Sequence, residues 1–156
     1  MPRYNWSILN NQQVGTYFEY FVKMELTMFG FEVFTTEVDD RGIDFIARRS
    51  PGTFIEIQAK AIRTYNYVFM RKSHFDPRTS LYVALGLLHE GREPESYLIP
   101  STVWLQPNEI FVSRDYNKPG QKSAPEWGIN MSMKNLPALQ SYRIEATLKQ
   151  LSEPDT

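Results

Sequence analysis

The sequence predicts one domain of the α/β or α+β class, with a central mixed β-sheet flanked by helices. Three observations support this prediction. Apolar residues near the N-terminus recur at intervals of three and four, several short segments then alternate between apolar and polar residues, and one later segment is apolar nearly throughout. A helix followed by strands and a mixed second half is the order of elements expected of such a domain.

Composition narrows the class of protein. The 156 residues suffice for one domain with a buried core, and contents of 42% hydrophobic and 14% aromatic residues exclude a disordered chain. The absence of cysteine excludes disulfide frameworks and cysteine-based zinc sites. No segment has the pattern of a signal peptide or reaches the roughly 20 apolar residues of a membrane-spanning helix. We therefore expect a soluble, cytoplasmic protein.

Cations are concentrated in the middle of the chain, although the net charge is only −1. Residues 41–78 contain eight Lys or Arg and three Asp or Glu, so this segment carries +5 and the rest of the chain −6. A basic segment is one signature of contact with nucleic-acid phosphates. The candidates for such contacts are Arg48, Arg49, Arg63, Arg71 and Lys72. Cations on solvated strand edges would give the same pattern.

The first half of the chain divides at clear turn signals. Residues 1–11 have no periodicity and are predicted to be an N-terminal arm. Residues 12–29 have the apolar spacing of an amphipathic helix, with Asn10 or Asn11 as its cap and Gly30 at its C-terminal end. Residues 31–36 then alternate as a first strand.

The stretch from Gly42 to Lys60 is predicted to be two strands joined by a tight turn at residues 48–52. Asp44 stands at the start of the first of these strands. In the second strand, Ile55 and its alternate neighbours point to one face of the sheet, whereas the polar residues point to the other. These polar residues are Glu56, Gln58 and Lys60.

The second half of the chain is predicted with less regular elements. Residues 65–70 suggest a short strand and residues 72–77 a loop or helical turn. Residues 81–88 are apolar nearly throughout, as expected of a central strand buried on both faces. The remaining predictions are a returning strand at 96–99, a short helix at 100–104, strands at 110–112 and 127–133, a helix at 136–151 and a frayed tail at 152–156.

The polar residues of the two central strands suit the hydrolysis of a phosphodiester. An Asp on one strand and an oxygen-bearing side chain on its neighbour can converge across about 5 Å. Oxygen ligands are those that Mg²⁺ prefers, and it keeps several waters, so two or three protein oxygens suffice. A Lys on the same face can hold a water molecule or neutralise charge that develops on a phosphate.

Three motifs carry a resemblance to a known family. They are Gly15-x-x-x-Glu19 in the helix, Gly42-Ile43-Asp44, and Glu56-Ile57-Gln58-Ala59-Lys60. Together they resemble the PD-(D/E)xK nuclease superfamily, and in particular its Gln-x-Lys members, such as Mrr-like enzymes and uncharacterised predicted nucleases. The motifs cover residues 15–63, and the order of elements covers about residues 12–100.

The resemblance implies a restriction-endonuclease-like fold and a Mg²⁺- or Mn²⁺-dependent endonuclease acting on DNA. It implies that Asp44 is the central metal-binding carboxylate, Lys60 the catalytic lysine, and Gln58 the residue at the position usually held by Glu or Asp. Glu19 corresponds to a helix acid that some members use. Two features depart from the family pattern: Ile43 stands where Pro is usual, and Gln58 is neutral. Glu56, on the same face, is a further candidate ligand or a partner for a nearby Arg.

Alternative functions remain open at this point. Taken singly, each of these residues has an ordinary structural explanation, such as a turn cap for Asp44 or a solvated strand end for Lys60. A neutral Gln58 also fits a catalytically inactive nuclease fold that binds DNA or a protein partner. A third alternative is a small-molecule phosphohydrolase or nucleotide-binding domain, which would need a closed pocket beside Asp44. A homodimer is plausible because cutting both strands of a duplex usually requires two sites.

Overall fold

The computed structural model describes residues 3–37 and 42–152. The helices are α1 (Asn11–Met28), α2 (Leu136–Leu139) and α3 (Ile144–Ser152). The strands are β1 (Glu32–Thr35), β2 (Phe45–Arg48), β3 (Ile55–Ile62), β4 (Tyr67–Arg71), β5 (Leu81–Leu87), β6 (Glu95–Pro100), β7 (Phe111–Arg114) and β8 (Glu126–Asn130). Short 3₁₀ turns lie at Trp6–Ile8, Lys72–His74, Ser101–Leu105, Met133–Asn135 and Gln140–Tyr142.

Helix α1 begins and ends where its sequence signals indicate. The Asn10 side chain accepts a hydrogen bond from the Gln13 backbone N–H at 2.8 Å, and the Gln13 side chain accepts one from the Asn10 N–H at 2.9 Å. This reciprocal capping satisfies two N–H groups at the helix start. Gly30 follows the helix with φ +86°, which favours glycine. The predicted helix at 12–29 is confirmed to within one residue at each end.

The main sheet has five strands in the order β1-β2-β3-β5-β6. Its neighbours are antiparallel except for β3 and β5, which run parallel from the Glu56–Leu81 pair to the Ile62–Leu87 pair. The sheet is therefore mixed. Strand β5 is buried along its whole length, as predicted from its apolar sequence.

The resemblance to the PD-(D/E)xK superfamily implies a helix, three strands, a helix and a strand, and the connection between β3 and β5 differs from this order. A parallel pair needs a long crossover, and a helix is the usual one. Residues 63–80 instead contain β4 and the 3₁₀ turn Lys72–His74, with no α-helix. Strand β4 joins β8 and β7 in a second, three-stranded antiparallel sheet in the order β4-β8-β7. Residues that the motifs do not cover thus build most of a second layer.

Hydrophobic clusters form on both faces of the main sheet. One face packs against α1 and α3, and its members include Phe18, Phe45 and Ile57. The other face packs against the second sheet, mainly through β5 and β6, with Trp104 and Tyr97 among its buried residues. On that second face, β2 and the first half of β3 contribute no buried apolar side chain to the cluster. This uncovered part of the sheet carries the polar residues Glu56 and Gln58 of β3, and Lys60 follows them on the same face.

Phe18 fixes the distance between α1 and the main sheet. Its ring lies directly over Gly86 of β5, where a Cβ atom would come within 2.5 Å of the Phe18 ring. Both the helix residue and its strand neighbourhood are fully buried. The missing side chain at position 86 therefore allows the helix to approach the sheet closely.

Near the two chain ends, the structure differs from the predicted elements. The predicted helix at 136–151 is wrong as one continuous element, because Arg143 adopts an extended conformation (φ −50°, ψ 141°) and forms a β-bridge with Tyr97 between the two helices. Within the predicted arm, Trp6 is buried, and its indole N–H donates to the Arg92 carbonyl. The sequence also predicts a turn at 39–42, ahead of Asp44; most of it, and most of the tail predicted at 152–156, lies outside the described residues.

Candidate active site

Strands β2 and β3 bring three of the predicted site residues to one face of the sheet. Phe45 pairs with Ile57, and both side chains are buried on the α1 side. Because side chains alternate along a strand, the adjacent Asp44 and Gln58 point to the opposite, uncovered face, together with Lys60. The predicted polar face of β3 is therefore present, and Asp44 lies just ahead of β2 rather than within it.

Asp44 is held against β3 by its own carboxylate. Its Oδ2 accepts a hydrogen bond of 2.7 Å from the backbone N–H of Ala59, the residue between Gln58 and Lys60. Its backbone N–H donates to the carbonyl of Ile57 at 2.9 Å. These two bonds fix the carboxylate beside the strand that carries the amide and the amine.

Gly42 is required by the packing next to Asp44. It adopts φ +73°, and a Cβ atom there would lie 2.8 Å from the carbonyl oxygen of His74 and 3.6 Å from the Gln58 amide nitrogen. A side chain at position 42 would thus meet both the backbone of the Lys72–His74 turn and the site itself. The glycine of the Gly-Ile-Asp motif consequently has a steric explanation.

Gln58 has an orphaned oxygen. Its Oε1 is buried, and no described residue donates a hydrogen bond to it. A buried carbonyl without a donor costs free energy, on the order of 1–3 kcal/mol, unless a ligand satisfies it. Since hard cations such as Mg²⁺ bind carboxylate and amide oxygens, the Asp44 carboxylate and this oxygen are a suitable, though incomplete, donor set. The described part of the chain has no cluster of three or more His, Cys, Asp or Glu residues that could hold a metal ion.

Lys60 is half-buried at the same edge of the sheet. Within residues 3–37 and 42–152, no carboxylate forms an ion pair with its amine. An ammonium held by a strand but not neutralised by a carboxylate is suited to bind an anionic group or a water molecule.

Glu56 lies on the site face but is already engaged. Its Oε2 accepts hydrogen bonds from Nε of Arg78 at 2.9 Å and from Oγ of Ser80 at 2.9 Å, and it lies 2.8 Å from Nη2 of Arg78. The structure thus provides the pairing with an arginine that the sequence left open for Glu56. Its role as a metal ligand stays a prediction.

Glu19 lies on α1, on the other side of the sheet from Gln58. Its carboxylate forms an ion pair with Lys23 at 3.2 Å, and the Lys23 amine lies 5.3 Å from the centroid of the Phe45 ring. Helix α1 runs parallel to β2. Glu19 lies one helical turn before Lys23, the residue beside Phe45, and is therefore nearer to the end of the sheet where Asp44 lies. Its catalytic role is likewise a prediction.

The five cations predicted to contact phosphates occupy different environments. Arg63 donates to the carbonyls of Trp6 and Leu9 and to the Asn11 side chain, which anchors the N-terminal segment. Lys72 bonds Ser113 and Asp115 and lies over the Trp127 ring.

The other three cations are less constrained. Arg48 lies 3.7 Å from Glu32 and over the Phe54 ring, and Arg49 donates to the carbonyl of Ser152. Arg71 is exposed and has no ion pair with a described residue. Arg63 and Lys72 therefore hold parts of the fold together. Arg49 and Arg71 are exposed, whereas Arg48 is half-buried with its Nε buried.

Two residues near the site were not assigned to it from the sequence. The backbone and Cβ of His74 lie against Gly42, two residues before Asp44. Arg78 reaches the site face through its pair with Glu56. Neither residue belongs to a motif, and the long crossover that carries both gives no sequence signal for its path.

The site is open. The largest depression described, of about 840 Å³, is lined by Arg49, Thr53 and Ser152, among others, and a smaller one of about 360 Å³ lies near Arg63. Asp44, Gln58 and Lys60 line neither of them.

Comparison with known proteins gives one informative result. No family model and no curated protein matches the sequence. Among solved structures, the chain is similar to Hjc of Archaeoglobus fulgidus, a Holliday junction resolvase from an archaeal hyperthermophile, with a TM-score of 0.56 and 17% sequence identity over 86% of this chain and 95% of that one. The chain has the restriction-endonuclease-like fold. The prediction of fold class is thereby confirmed. No helix of the described residues is long and apolar enough to cross a membrane.

Proposed function

We propose that the chain is a metal-dependent nuclease that hydrolyses phosphodiester bonds in DNA. The observation that carries this proposal is the position of Asp44, Gln58 and Lys60 on one face of neighbouring strands, with the Gln58 oxygen buried and without a donor among the described residues. The similarity of the fold to a Holliday junction resolvase supports DNA, including branched DNA, as the substrate class.

Each residue has a distinct part in the proposed reaction. Asp44 and Gln58 would hold Mg²⁺ or Mn²⁺, with Glu19 or Glu56 as the source of a further carboxylate. The ion, when bound, would polarise a phosphoryl oxygen and lower the pKa of a bound water. Lys60 would place its charge next to the scissile phosphate and stabilise the negative charge that develops there. Arg48, Arg49 and Arg71 would contact flanking phosphates, so binding should weaken as salt concentration rises.

Glu56 serves the site better as an organiser than as a ligand. Its Oε2 already accepts from Arg78 and Ser80, which leads us to expect that it positions Arg78 on the site face. The Arg78 side chain is 38% exposed and can reach solvent or a phosphate from there.

The test is cleavage of DNA by the purified chain with Mg²⁺, with Mn²⁺ and with a chelator. The substrates are a supercoiled plasmid, a four-way junction and a single strand. Asp44→Asn and Lys60→Met should each lower the rate about 100- to 1,000-fold. Glu109→Gln and Lys149→Met, which remove charges of the same sign from exposed positions, should leave the rate unchanged. If the folded chain leaves every substrate uncut with either metal, the proposal is wrong.

A second candidate is a nuclease-fold module that binds DNA or a protein partner without cutting. It is favoured by the neutral Gln58 and by the ion pairs that engage both Glu19 and Glu56. The two candidates differ in metal binding. Calorimetry without detectable Mg²⁺ or Mn²⁺ binding in the presence of DNA, combined with normal DNA binding by Asp44→Asn, would select the module.

A further inference from the structure

The outer face of the second sheet carries aromatic and cationic side chains, of which only Arg71 has a part in the proposed function. In β4, Val68 and Met70 point inward and are buried, so Tyr67, Phe69 and Arg71 point outward. Phe69 is 46% exposed, and its ring lies nearly parallel to that of Tyr67, with 6.2 Å between centroids and 17° between planes. We call the surface formed by Tyr67, Phe69, Arg71 and Arg114 the β4 platform.

Tyr67 is fixed within the platform from below and from above. Its ring lies across Gly128 of the neighbouring strand, where a Cβ atom would collide with it. Its hydroxyl donates to the buried carboxylate of Glu126, and the Arg114 guanidinium lies 4.2 Å from the ring centroid. Burial and this hydrogen bond raise the pKa of Tyr67, so the phenol stays neutral. The surface that faces solvent therefore consists of the Arg114 guanidinium, held over the Tyr67 ring, next to the exposed Phe69 ring.

The charge of the β4 platform is positive at its surface. Arg71 and Arg114 are both exposed, and neither forms an ion pair with a described residue. Of the two nearby acids, Glu126 is buried beneath the Tyr67 hydroxyl, and Asp115 is paired with Lys72 at 2.7 Å. An exposed aromatic ring beside two arginines that form no ion pair with a described residue matches a chain of bases and phosphates better than it matches an apolar protein surface.

A short segment of chain links the platform to the proposed cleavage site. Strand β4 ends at Arg71 and leads into the Lys72–His74 turn, whose last residue packs against Gly42. His74 lies five positions after Phe69, so their Cα atoms are at most about 18 Å apart. A DNA strand that leaves the site past His74 would have to span no more than about this distance to reach Phe69.

We propose that the β4 platform binds single-stranded DNA next to the proposed cleavage site, with an unpaired base stacked on Phe69 and phosphates bound by Arg71 and Arg114. This rests on the proposed function for the identity of the nucleic acid. It specifies the substrate further, because a DNA with an unpaired strand beside the cut, such as a flap or an overhang, would engage both surfaces, whereas a continuous duplex would engage only the site.

The test measures binding without cleavage, by fluorescence anisotropy in a chelator with a labelled oligothymidine, its uridine counterpart and a blunt duplex. Phe69→Ala should weaken oligothymidine binding about 5- to 100-fold, as expected for the loss of one base–aromatic stack, and Phe69→Trp should restore it. Arg71→Gln and Arg114→Gln should each reduce the slope of log affinity against log salt by about 0.7. Duplex binding should change little in Phe69→Ala, Phe69→Trp and Arg114→Gln, whereas Arg71→Gln should weaken it, because Arg71 is also proposed to contact phosphates that flank the cleavage site.

Tyr20→Ala is the matched control, because Tyr20 is a 61% exposed aromatic residue on α1, on the opposite face of the main sheet. It should leave oligothymidine binding unchanged. Equal losses in Phe69→Ala and Tyr20→Ala, or no loss in Phe69→Ala, would overturn the platform. So would tighter binding of oligouridine than of oligothymidine, or self-association of the chain that Phe69→Ala abolishes, since these identify RNA or a second copy as the occupant.

Cleavage assays on the same variants separate this inference from the proposed function. If Phe69→Ala binds oligothymidine normally while the wild type cuts DNA, the platform is wrong and the nuclease stands. If no DNA is cut but binding depends on Phe69, the nuclease is wrong and the platform stands. If both hold, Phe69→Ala should cut a flap more slowly than the wild type does and a plain duplex at the same rate.

Discussion

Replacing Gln58 by Glu tests the geometry of the site most directly. The substitution is close to isosteric and introduces the carboxylate that the family pattern usually has at this position. In the wild type, the Gln58 oxygen is buried without a described donor and lies beside Asp44, whose Oδ2 is bound to the Ala59 N–H. The introduced charge would therefore have no hydrogen bond to compensate it and a like charge on the neighbouring strand.

The size of the effect follows from this arrangement. Side chains directly opposite on antiparallel strands are about 5 Å apart, and at an effective dielectric constant of about 20 two like charges at that distance repel by about 3 kcal/mol. The repulsion raises the pKa of the introduced carboxyl in the folded chain. The variant should therefore match the wild type below about pH 4, lose stability as the pH rises through the raised pKa, and be about 3 kcal/mol less stable above it.

Urea denaturation at pH 4 and pH 8, with a chelator and with Mn²⁺, measures these terms. In chelator, Gln58→Glu should be less stable than the wild type only at pH 8. With Mn²⁺ at pH 8 the deficit should shrink or reverse, because an ion that binds only the folded state adds to its stability. Gln106→Glu, at an exposed position, should show neither effect. An equal deficit at both pH values, or none at pH 8, would refute the placement of position 58 beside Asp44.

Three further predictions concern the surroundings of the site. Glu56→Gln should cost about 1–2 kcal/mol of unfolding free energy, measured in urea, because Arg78 and Ser80 lose a charged acceptor, whereas Glu109→Gln should cost nothing measurable. Gly86→Ala should lower the free energy of unfolding by about 1–3 kcal/mol, because the added Cβ forces Phe18 off the sheet. Gly15→Ala, with nothing within 4 Å of its added Cβ, should raise the free energy of unfolding by about 0.5–1 kcal/mol. Equal effects of the two substitutions would contradict the close approach of α1 to the sheet. Since burial and Glu126 raise the pKa of Tyr67, an absorbance titration of Tyr67→Phe should lose a phenolate signal only well above pH 10; loss of signal near pH 10 would show an exposed phenol.

The sequence predicts the first half of the fold well because its signals are local. The capping pair Asn10 and Gln13, the apolar stripe of α1 and the alternation of β3 each depend on residues a few positions apart. The face on which Gln58 and Lys60 lie follows from alternation alone. The predicted site thus came together because its motifs lie on adjacent strands with a short connection.

The second half depends on contacts between distant parts of the chain. Strand β4 is apolar from Tyr67 to Met70 and could join either sheet, and only its pairing with β8, about 60 residues later, places it in the second sheet. The break between α2 and α3 at Arg143 depends on a bridge to Tyr97, which no local pattern encodes. The positions of His74 and Arg78 near the site follow from the same long connection.

The charge balance of the site bears on how it would work. Glu19 is paired with Lys23 and Glu56 with Arg78, Gln58 is neutral, and the cationic Lys60 lies on the same face as Asp44. A site with so little net negative charge attracts a divalent cation weakly by itself. Mg²⁺ in phosphoryl-transfer sites is commonly bound by one or two carboxylates together with oxygens of the substrate phosphates. A DNA phosphate next to Asp44 would supply the charge that Gln58 lacks, so metal and DNA would each strengthen the binding of the other. On this reasoning, the neutral Gln58 makes metal binding depend on the DNA substrate. It is not a sign that the site has lost its activity.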